Sequence, residues 1–300
     1  MNNFRSWRHS FDVRGVSWRR GLDWAIENVP FYFHPFLILF WTLFFFLFAG
    51  AARKAVVSNL SVILPNSSRT MNYFRAFRVF RNFAWSLAEG TIYKLNKGPF
   101  SSELNGADMF DNLLAGKGAI ILTAHMGSYD LGAALFAEQF HREMRMVRAP
   151  ESDEGSAQHV DLALKQSGAG AVKVAYSTGG AALSFDLLNA LRRGEIISIQ
   201  GDRVVGDVAS ANVRLFEHNV ALPNGPFVLA LVAPTPIYPV FVVRSGYREY
   251  QIIVREPIVC AREEGTRDDH ITRAMVKWSQ ILEALVSEHW DQWYAFIPMF

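Results

Sequence analysis

The amino-acid sequence predicts an α/β protein: a single layered domain with a mostly parallel central sheet flanked by helices, preceded by an N-terminal hydrophobic membrane helix. From residue 106 onward, short apolar runs alternate with helical stretches. The early apolar runs are continuous, as strands buried on both faces of a sheet require. The membrane helix is predicted because no Asp, Glu, Lys or Arg occurs from residue 29 to residue 52.

The strands and helices of the layered domain follow from the same pattern. Strands are predicted at 119–124, 145–149, 171–176, 196–200, 237–244 and 250–255. The last two are separated by a short turn and predict an antiparallel hairpin. Helices are predicted at 107–115, 129–140, 156–166, 179–193, 226–232 and 267–290.

The apolar N-terminal segment is close to the length that spans a bilayer, which is roughly 20 residues. Pro30 and Pro35 interrupt its start, so the uninterrupted helix is about 17 residues long. Arg and Lys lie on both sides of it, so the positive-inside rule does not choose an orientation, although such flanks suit anionic lipid headgroups. A spanning or deeply inserted helix, an interfacial helix and a buried helix all stay open.

A second N-terminal helix, predicted at 71–95, has arginines and phenylalanines at helical spacing. Arg75, Arg78 and Arg81 line one face, and a row of Phe residues lies beside them. The helix lies on a membrane surface or packs its aromatic face on the domain core. The predicted division is therefore an N-terminal membrane-anchoring and amphipathic helical region, 1–105, and an α/β domain, 106–300.

Composition excludes several classes of function. The net charge is only +2, and the chain has neither zinc-finger spacing nor a basic-aromatic RNA motif, so nucleic-acid binding is not expected. Cys260 is the single cysteine and has no Cys or His neighbours at metal-ligand spacing. We therefore expect no metal site.

The segment around His125 carries the clearest candidate chemistry. His125 follows a buried strand, Asp130 comes five residues later at a predicted helix start, and Gly127 permits a tight reversal between them. A carboxylate that accepts one ring N–H leaves the other nitrogen to take a hydroxyl proton. In a chain with 8 His and 28 acidic residues this spacing also arises by chance, so a capping Asp beside a packed His stays open.

Other candidates lie near the same predicted sheet edge. Arg148 and Arg203 are expected at strand ends, where they can contact a phosphate or a lipid headgroup, or form ion pairs such as Arg203 with Asp202. Gly225 precedes a proline at a helix start. Its backbone can bind an oxyanion or a phosphate, or simply form a turn.

Several blocks together resemble one family, the bacterial lipid A late acyltransferases (lauroyl and myristoyl transferases) and relatives, within the lysophospholipid acyltransferase-like superfamily. His125-Met-Gly-Ser-Tyr-Asp130 resembles that family's His-x4-Asp block (HX4D motif). The other blocks that carry the resemblance are Val57-Ser-Asn-Leu60 with Pro65, Met146-Val-Arg148-Ala-Pro150, Gly194-Glu-Ile-Ile-Ser-Ile-Gln-Gly-Asp202-Arg203, Leu222-Pro-Asn-Gly225-Pro226, Pro236-Ile-Tyr-Pro239 and Trp290-Asp-Gln-Trp293-Tyr294.

The resemblance implies an enzyme that transfers a fatty acyl group to a hydroxyl of a membrane lipid or glycolipid. The donor is then an acyl carrier protein or coenzyme A thioester, a co-substrate with no further cofactor, and no covalent acyl-enzyme forms. His125 acts as general base and Asp130 orients it. Arg148, Asp202, Arg203 and Gly225 become the expected substrate-binding residues. The implied location is the bacterial inner membrane, with the catalytic domain on the cytoplasmic face.

Two departures from the family pattern leave the acceptor open. Arg203 follows Asp202 where lipid A enzymes commonly have Gln, and the chain ends Ala-Phe-Ile-Pro-Met-Phe instead of with a His-Arg type ending. Two other functions also stay open: a thioesterase or other hydrolase of the same fold, and an inactive membrane-anchored binding protein.

Overall fold

A computed structural model of the chain describes residues 16–95, 97–129, 131–132, 144–148, 172–177, 180–260 and 264–300. We number elements in chain order within these residues. The helices are α1 (Val16–Asn28), α2 (His34–Phe48), α3 (Gly50–Ile63), α4 (Arg69–Lys94), α5 (Ala107–Ala115), α6 (Gly180–Arg192), α7 (Gly225–Val232) and α8 (Arg267–Glu288).

The strands form a seven-stranded sheet and a separate hairpin. They are β1 (Ser101–Asn105), β2 (Ala119–Thr123), β3 (Met144–Arg148), β4 (Val172–Tyr176), β5 (Ile196–Gln200), β6 (Ser210–Leu215), β7 (His218–Pro223), β8 (Ile237–Gly246) and β9 (Glu249–Val254). The sheet order is β1-β9-β8-β2-β5-β3-β4, and every neighbouring pair is parallel except β8 and β9. The predicted mostly parallel sheet and the final antiparallel hairpin are both confirmed.

The central strand β2 is buried on both faces, as its continuous apolar sequence predicts. Ile120 and Leu122 belong to a core with Trp278 of α8, whereas Ile121 belongs to a core with Leu113 of α5. Burying each such aliphatic side chain contributes about 1.5–3 kcal/mol. The two cores therefore hold β2 and its following loop firmly in the middle of the domain.

The three helices α1, α2 and α3 pack around α4, the long helix predicted at 71–95. One face of α4 lies on the α/β domain: Asn82 donates to the backbone carbonyl of Asp291 at 3.0 Å, and Phe83 contacts Tyr294 edge to face. The structure thus shows α4 packing on the domain core, which is one of the two alternatives that the sequence left open for this helix.

Residues 31–48 are apolar and long enough to cross a membrane by length and composition, and 22% of them are buried.

Three parts of the sequence prediction differ from the structure or lie beyond it. The edge strand β1 was not predicted, because all five of its residues are exposed and its sequence has no apolar pattern. It pairs with β9, so the sheet already begins within the segment assigned to the N-terminal region. The hairpin β6–β7 was also missed. The predicted helix 156–166 and most of 129–140 lie outside the described residues.

Candidate active site

The loop after β2 carries His125, and the C-terminal segment holds that loop in place. The backbone N–H of Tyr294 donates to the His125 carbonyl at 2.8 Å. One residue on, Met126 forms an isolated bridge with Trp293, and the N–H of Gly127 donates to the Gln292 carbonyl at 2.9 Å. The His125 backbone therefore depends on residues far away in the sequence.

Asp202 is the carboxylate that contacts His125. It follows β5, which is the parallel neighbour of β2, so both residues lie at the same carboxyl edge of the sheet. One oxygen, Oδ1, lies 2.7 Å from His125 Nδ1, and the indole N–H of Trp293 donates to the other, Oδ2, at 3.0 Å. Asp202 is fully buried, whereas the His125 side chain is 23% exposed. The imidazole is therefore open to a substrate on one side and held by Asp202 on the other.

The charge of Asp202 survives its burial. Burial alone raises the pKa of this carboxyl, but attraction to His125 and Arg203 and the hydrogen bonds from His125 and Trp293 outweigh it. The pKa consequently lies well below its ordinary value, so Asp202 is ionised at neutral pH. A buried carboxylate held in this way accepts hydrogen bonds only.

This charge decides which imidazole nitrogen carries the proton. Arg203 Nε lies 3.0 Å from His125 Nδ1 and 3.7 Å from Asp202 Oδ2. Nδ1 cannot donate to Asp202 and accept from Arg203 at the same time. Because Asp202 is ionised, we assign the proton to Nδ1, which places the lone pair of the neutral ring on Nε2. The Arg203 guanidinium then acts through its charge, in the ion pair with Asp202 that the sequence left open.

One protein family matches almost the whole sequence of this chain. The model of the family described as bacterial lipid A biosynthesis acyltransferase matches residues 15–300, nearly the whole chain. The chain belongs to this family. It is therefore an acyltransferase of the lipid A biosynthesis class, and the family is associated with membranes. A comparison with curated proteins gives no match.

Of the family-like site residues, the structure brings His125, Asp202 and Arg203 together, and it places others at or beyond the site's edge. Asp130 lies outside the described residues, so its predicted role of orienting His125 stays a prediction. Arg148 is half-buried at the carboxyl end of β3, on the far side of β5 from β2. Gly225 begins α7, and a methyl group there would meet no other atom within 4 Å.

Asp202 was expected to contact the substrate, but its surroundings are better suited to holding the His125 ring in place. Its side chain is fully buried and both of its oxygens already have partners, His125 and Trp293. Trp293 was predicted only as part of the terminal aromatic block of the family resemblance, with no contact assigned to it. The signal that could have identified its contact was its place in the terminal aromatic block. Pairing that block with Asp202 requires the tertiary structure.

A buried ionic cluster behind the site was not predicted. Glu89, the one acidic residue of α4, is fully buried and accepts from Arg244, which lies 3.0 Å away. The backbone N–H of Arg248 donates to Glu89 at 3.1 Å, and the Tyr250 hydroxyl also donates to it. Burial and the nearby Glu89 charge raise the pKa of Tyr250, which keeps the hydroxyl protonated and donating.

A chain of hydroxyl groups connects this cluster to the loop that carries His125. Ser128 Oγ donates to the Tyr250 hydroxyl at 3.2 Å and lies 2.6 Å from Ser86 Oγ. Ser86 Oγ also lies 2.9 Å from the Gly127 carbonyl oxygen, so its one proton can be donated either to Ser128 or to that carbonyl. Helix α4 therefore supports the active-site loop directly. The sequence signal for this cluster was Glu89, an acidic residue in a helix that is otherwise aromatic and basic.

Replacing Glu89 with glutamine is expected to lower the free energy of unfolding by about 3 kcal/mol, the lower end of the range for a broken buried pair, because the Arg244 side chain that loses its partner is 18% exposed. The midpoint of thermal unfolding of the detergent-solubilised chain measures this. Glu103→Gln is the matched control, since Glu103 is exposed on the edge strand β1. Equal midpoints for the two variants would contradict the assigned importance of the cluster.

Gly127 is a position that only glycine fits. Its φ is +55°, and a Cβ added there would lie 1.9 Å from the Val242 carbonyl oxygen. We expect Gly127→Ala to destabilise the chain by roughly 3 kcal/mol or more, combining left-handed strain with a shifted loop. Gly206→Ala separates the two effects, because Gly206 has φ +67° but open space around it. Only about 1–2 kcal/mol is expected there, and thermal midpoints for both variants provide the comparison.

Proposed function

We propose that this acyltransferase moves a fatty acyl group from an acyl carrier protein or coenzyme A thioester to a hydroxyl of a membrane glycolipid. The observation that carries the proposal is the contact between His125 and the buried Asp202, in a chain of the lipid A biosynthesis acyltransferase family. A neutral imidazole with its proton on Nδ1 has the lone pair that a general base needs on Nε2. A thioester is already activated, so the reaction requires no further cofactor.

The proposed reaction is direct attack, without an acyl-enzyme. His125 Nε2 takes the proton of the acceptor hydroxyl as its oxygen bonds to the thioester carbonyl carbon. The tetrahedral intermediate then collapses, the carbon–sulfur bond breaks, and the imidazolium returns the proton to the departing thiolate. Asp202 holds the ring in the required tautomer and stabilises the imidazolium, while Trp293 holds Asp202.

The two predicted arginines take different parts in this proposal. Arg203 is 7% exposed and lies against His125 and Asp202, so its positive charge stabilises the ionised Asp202 that holds His125. Arg148 is half-buried at the same carboxyl edge of the sheet, where it is the better candidate for the phosphate of the acyl carrier. Gly225 is retained as a candidate backbone contact for the oxyanion or for a phosphate.

The proposed location is the bacterial inner membrane, with the α/β domain on the cytoplasmic face, where acyl carrier protein and coenzyme A thioesters occur. Two sources of binding are available to the chain there. The exposed apolar residues of α2 suit the lipid interior, and exposed basic residues, Lys54, Arg69 and Arg81, suit anionic headgroups.

Acyl transfer is tested by incubating the full-length chain in membranes with a thioester whose acyl group is labelled. A labelled lipid absent from the His125→Ala control supports the proposal, and mass spectrometry of that lipid identifies the acceptor. Labelled free fatty acid without a new lipid indicates a thioesterase instead. No His125-dependent product with either donor, in bacterial total lipid, would indicate an inactive binding protein.

A further inference from the structure

Helix α2 has two different faces along its whole length. Its buried face consists of His34, Ile38, Thr42 and Phe45. Its outer face exposes six apolar residues, four of which form one line at helical spacing: Phe36, Phe40, Leu43 and Leu47. A helix that crosses a membrane by itself meets lipid on all sides, whereas this helix meets protein on one side.

The buried face of α2 packs along α4 in an antiparallel direction. Near its start, Ile38 shares an apolar cluster with Ala84 and Ala88 of α4. Near its end, Phe46 contacts Phe77 and Phe80, which lie earlier in α4. Helix α2 therefore stays beside α4 from one end to the other.

The segment before α2 contacts the late part of α4. Leu22 and Ile26 of α1 pack with Ile92, and the Thr91 hydroxyl donates to Asp23. Just after α4, the Lys97 ammonium donates to the Glu27 carbonyl at 2.5 Å. Helix α1 is thus joined to the end of α4 and to the segment that leads into the edge strand β1.

The segment after α2 contacts the α/β domain as well. Asn59 of α3 is buried, and its side-chain amide donates to the Ala295 carbonyl at 3.0 Å and to the Ile297 carbonyl at 2.9 Å. Its side-chain oxygen accepts from the Met299 N–H at 3.0 Å. Both chain segments that flank α2 therefore lie on the same side as the domain.

Helix α4 cannot carry α2 across the bilayer. It has Arg75, Arg78 and Arg81 on one stretch and the buried Glu89 further on, and a charged residue at the bilayer centre costs about 2.5–3.5 kcal/mol or more. Its inner face is also bonded to the domain, through Asn82 and Asp291 among others. Since α2 lies along α4, α2 cannot cross to the other side without separating from it.

We propose that the protein is held in a single membrane leaflet, with α2 parallel to the membrane surface and its outer face in the acyl-chain layer. Helices α1 and α3 both stay on the side of the α/β domain. The mean hydropathy of residues 31–48 is 1.9, so this 18-residue segment is apolar enough for the acyl layer. The active site then faces acceptor lipids of that same leaflet.

Charge at the end of α2 indicates anionic headgroups as the neighbours of this face. The Arg53 guanidinium donates to the Leu47 carbonyl at 2.9 Å and so closes the helix end. Lys54, the residue after Arg53, and Arg69 line a pocket between α3 and α4. The pocket's other lining residues are largely polar: Val57, Ser58, Ser61, Ser67, Asn72 and Tyr73. Cations and hydroxyl groups beside an apolar helix suit a lipid phosphate next to its acyl chains.

The orientation is tested with single cysteines and a membrane-impermeant maleimide in inverted inner-membrane vesicles. Burial raises the pKa of the Cys260 thiol to about 11, and Cys260→Ala removes it as a background site. The reporters are Asn28→Cys before α2, Thr70→Cys after it and Asp268→Cys on the α/β domain, all at exposed positions. Labelling is normalised to the value after detergent is added.

We expect all three reporters to be labelled to the same fraction before detergent, because they lie on one side of the membrane. A spanning α2 predicts that Asn28→Cys is labelled from the side opposite to Thr70→Cys, and that result would overturn the proposal. The readout does not involve acyl transfer, so it can fail or succeed independently of the proposed reaction.

The outer face of α2 is tested separately by changing the four aligned apolar residues, Phe36, Phe40, Leu43 and Leu47, to serine. We expect the variant to move from the membrane fraction to the soluble fraction with an unchanged circular dichroism spectrum. The control changes four exposed apolar residues of the α/β domain to serine: Phe185, Val232, Val259 and Val276. The assignment of the membrane face is overturned if the α2 variant stays bound as tightly as this control.

Discussion

Replacing His125 with alanine is expected to lower acyl transfer by about 10²- to 10⁴-fold, the usual contribution of a general base. The variant keeps the thioester and the acceptor but has no group to remove the hydroxyl proton. The initial rate of labelled lipid formation in vesicles measures the loss. Thermal unfolding of the same samples shows whether the variant is folded, since the His125 backbone is held by main-chain bonds that alanine preserves.

A matched histidine tests the specificity of this effect. His218 is exposed at the start of β7, in the hairpin that is separate from the main sheet. We expect His218→Ala to transfer acyl groups within about twofold of the parent rate, because surface substitutions of this kind have small effects. A His125→Ala variant that is folded and equally active would show that another group is the base.

Replacing Asp202 with asparagine is expected to lower the turnover number by about 10²-fold or more, with a smaller effect on KM. Asparagine has nearly the same shape, but it has no charge to stabilise the imidazolium, and its amide can face His125 Nδ1 with a donor. The wrong tautomer then places the proton on Nε2, where the base is needed. Asp207→Asn, at an exposed position in the loop between β5 and β6, is the control and should leave turnover unchanged.

Stability must be measured beside turnover, because Asp202→Asn also leaves the buried Arg203 without its carboxylate. Breaking a buried pair costs about 3–5 kcal/mol. Asp202→Glu keeps the charge and is expected to recover part of the stability. If Asp202→Asn folds and turns over at the parent rate, the orienting role of Asp202 is wrong.

The pH dependence of stability has a defined sign. The folded-state pKa of Asp202 lies below its ordinary value of 3.8. Its contribution to the free energy of unfolding is therefore fully present above the unfolded pKa and is lost as the pH falls through the folded pKa. Near neutral pH Asp202 stays ionised, so mild acidification is not expected to lower stability through this carboxyl, and thermal midpoints at neutral and mildly acidic pH check this.

Asp130→Asn compares the two carboxylates associated with His125. The sequence associates Asp130 with His125 through the HX4D block, and the structure gives the Nδ1 contact to Asp202. We expect the Asp202 variant to lose more turnover than the Asp130 variant. The reverse order would return the orienting role to Asp130.

The sequence predicts the elements whose stability is local. Continuous apolar runs marked β2 and β5, because strands buried on both faces must exclude polar residues. Helix α8 begins with a capping box between Thr266 and Asp269, three residues apart, and its start was predicted to the residue. The exposed strand β1 carries no such pattern, because its place at the sheet edge depends only on pairing with β9.

The sequence by itself determined the α/β class, the apolar N-terminal helix, and His125 as the candidate base at a strand end. These follow from hydrophobic pattern and from residue chemistry, which act over a few neighbouring positions. Only the tertiary structure decided that Asp202 meets His125, that Trp293 meets Asp202, that Glu89 supports the loop after β2, and that α2 lies along α4. Those contacts join residues up to 161 positions apart, as between Glu89 and Tyr250, and their partners are selected by strand order and helix packing, which no local pattern encodes.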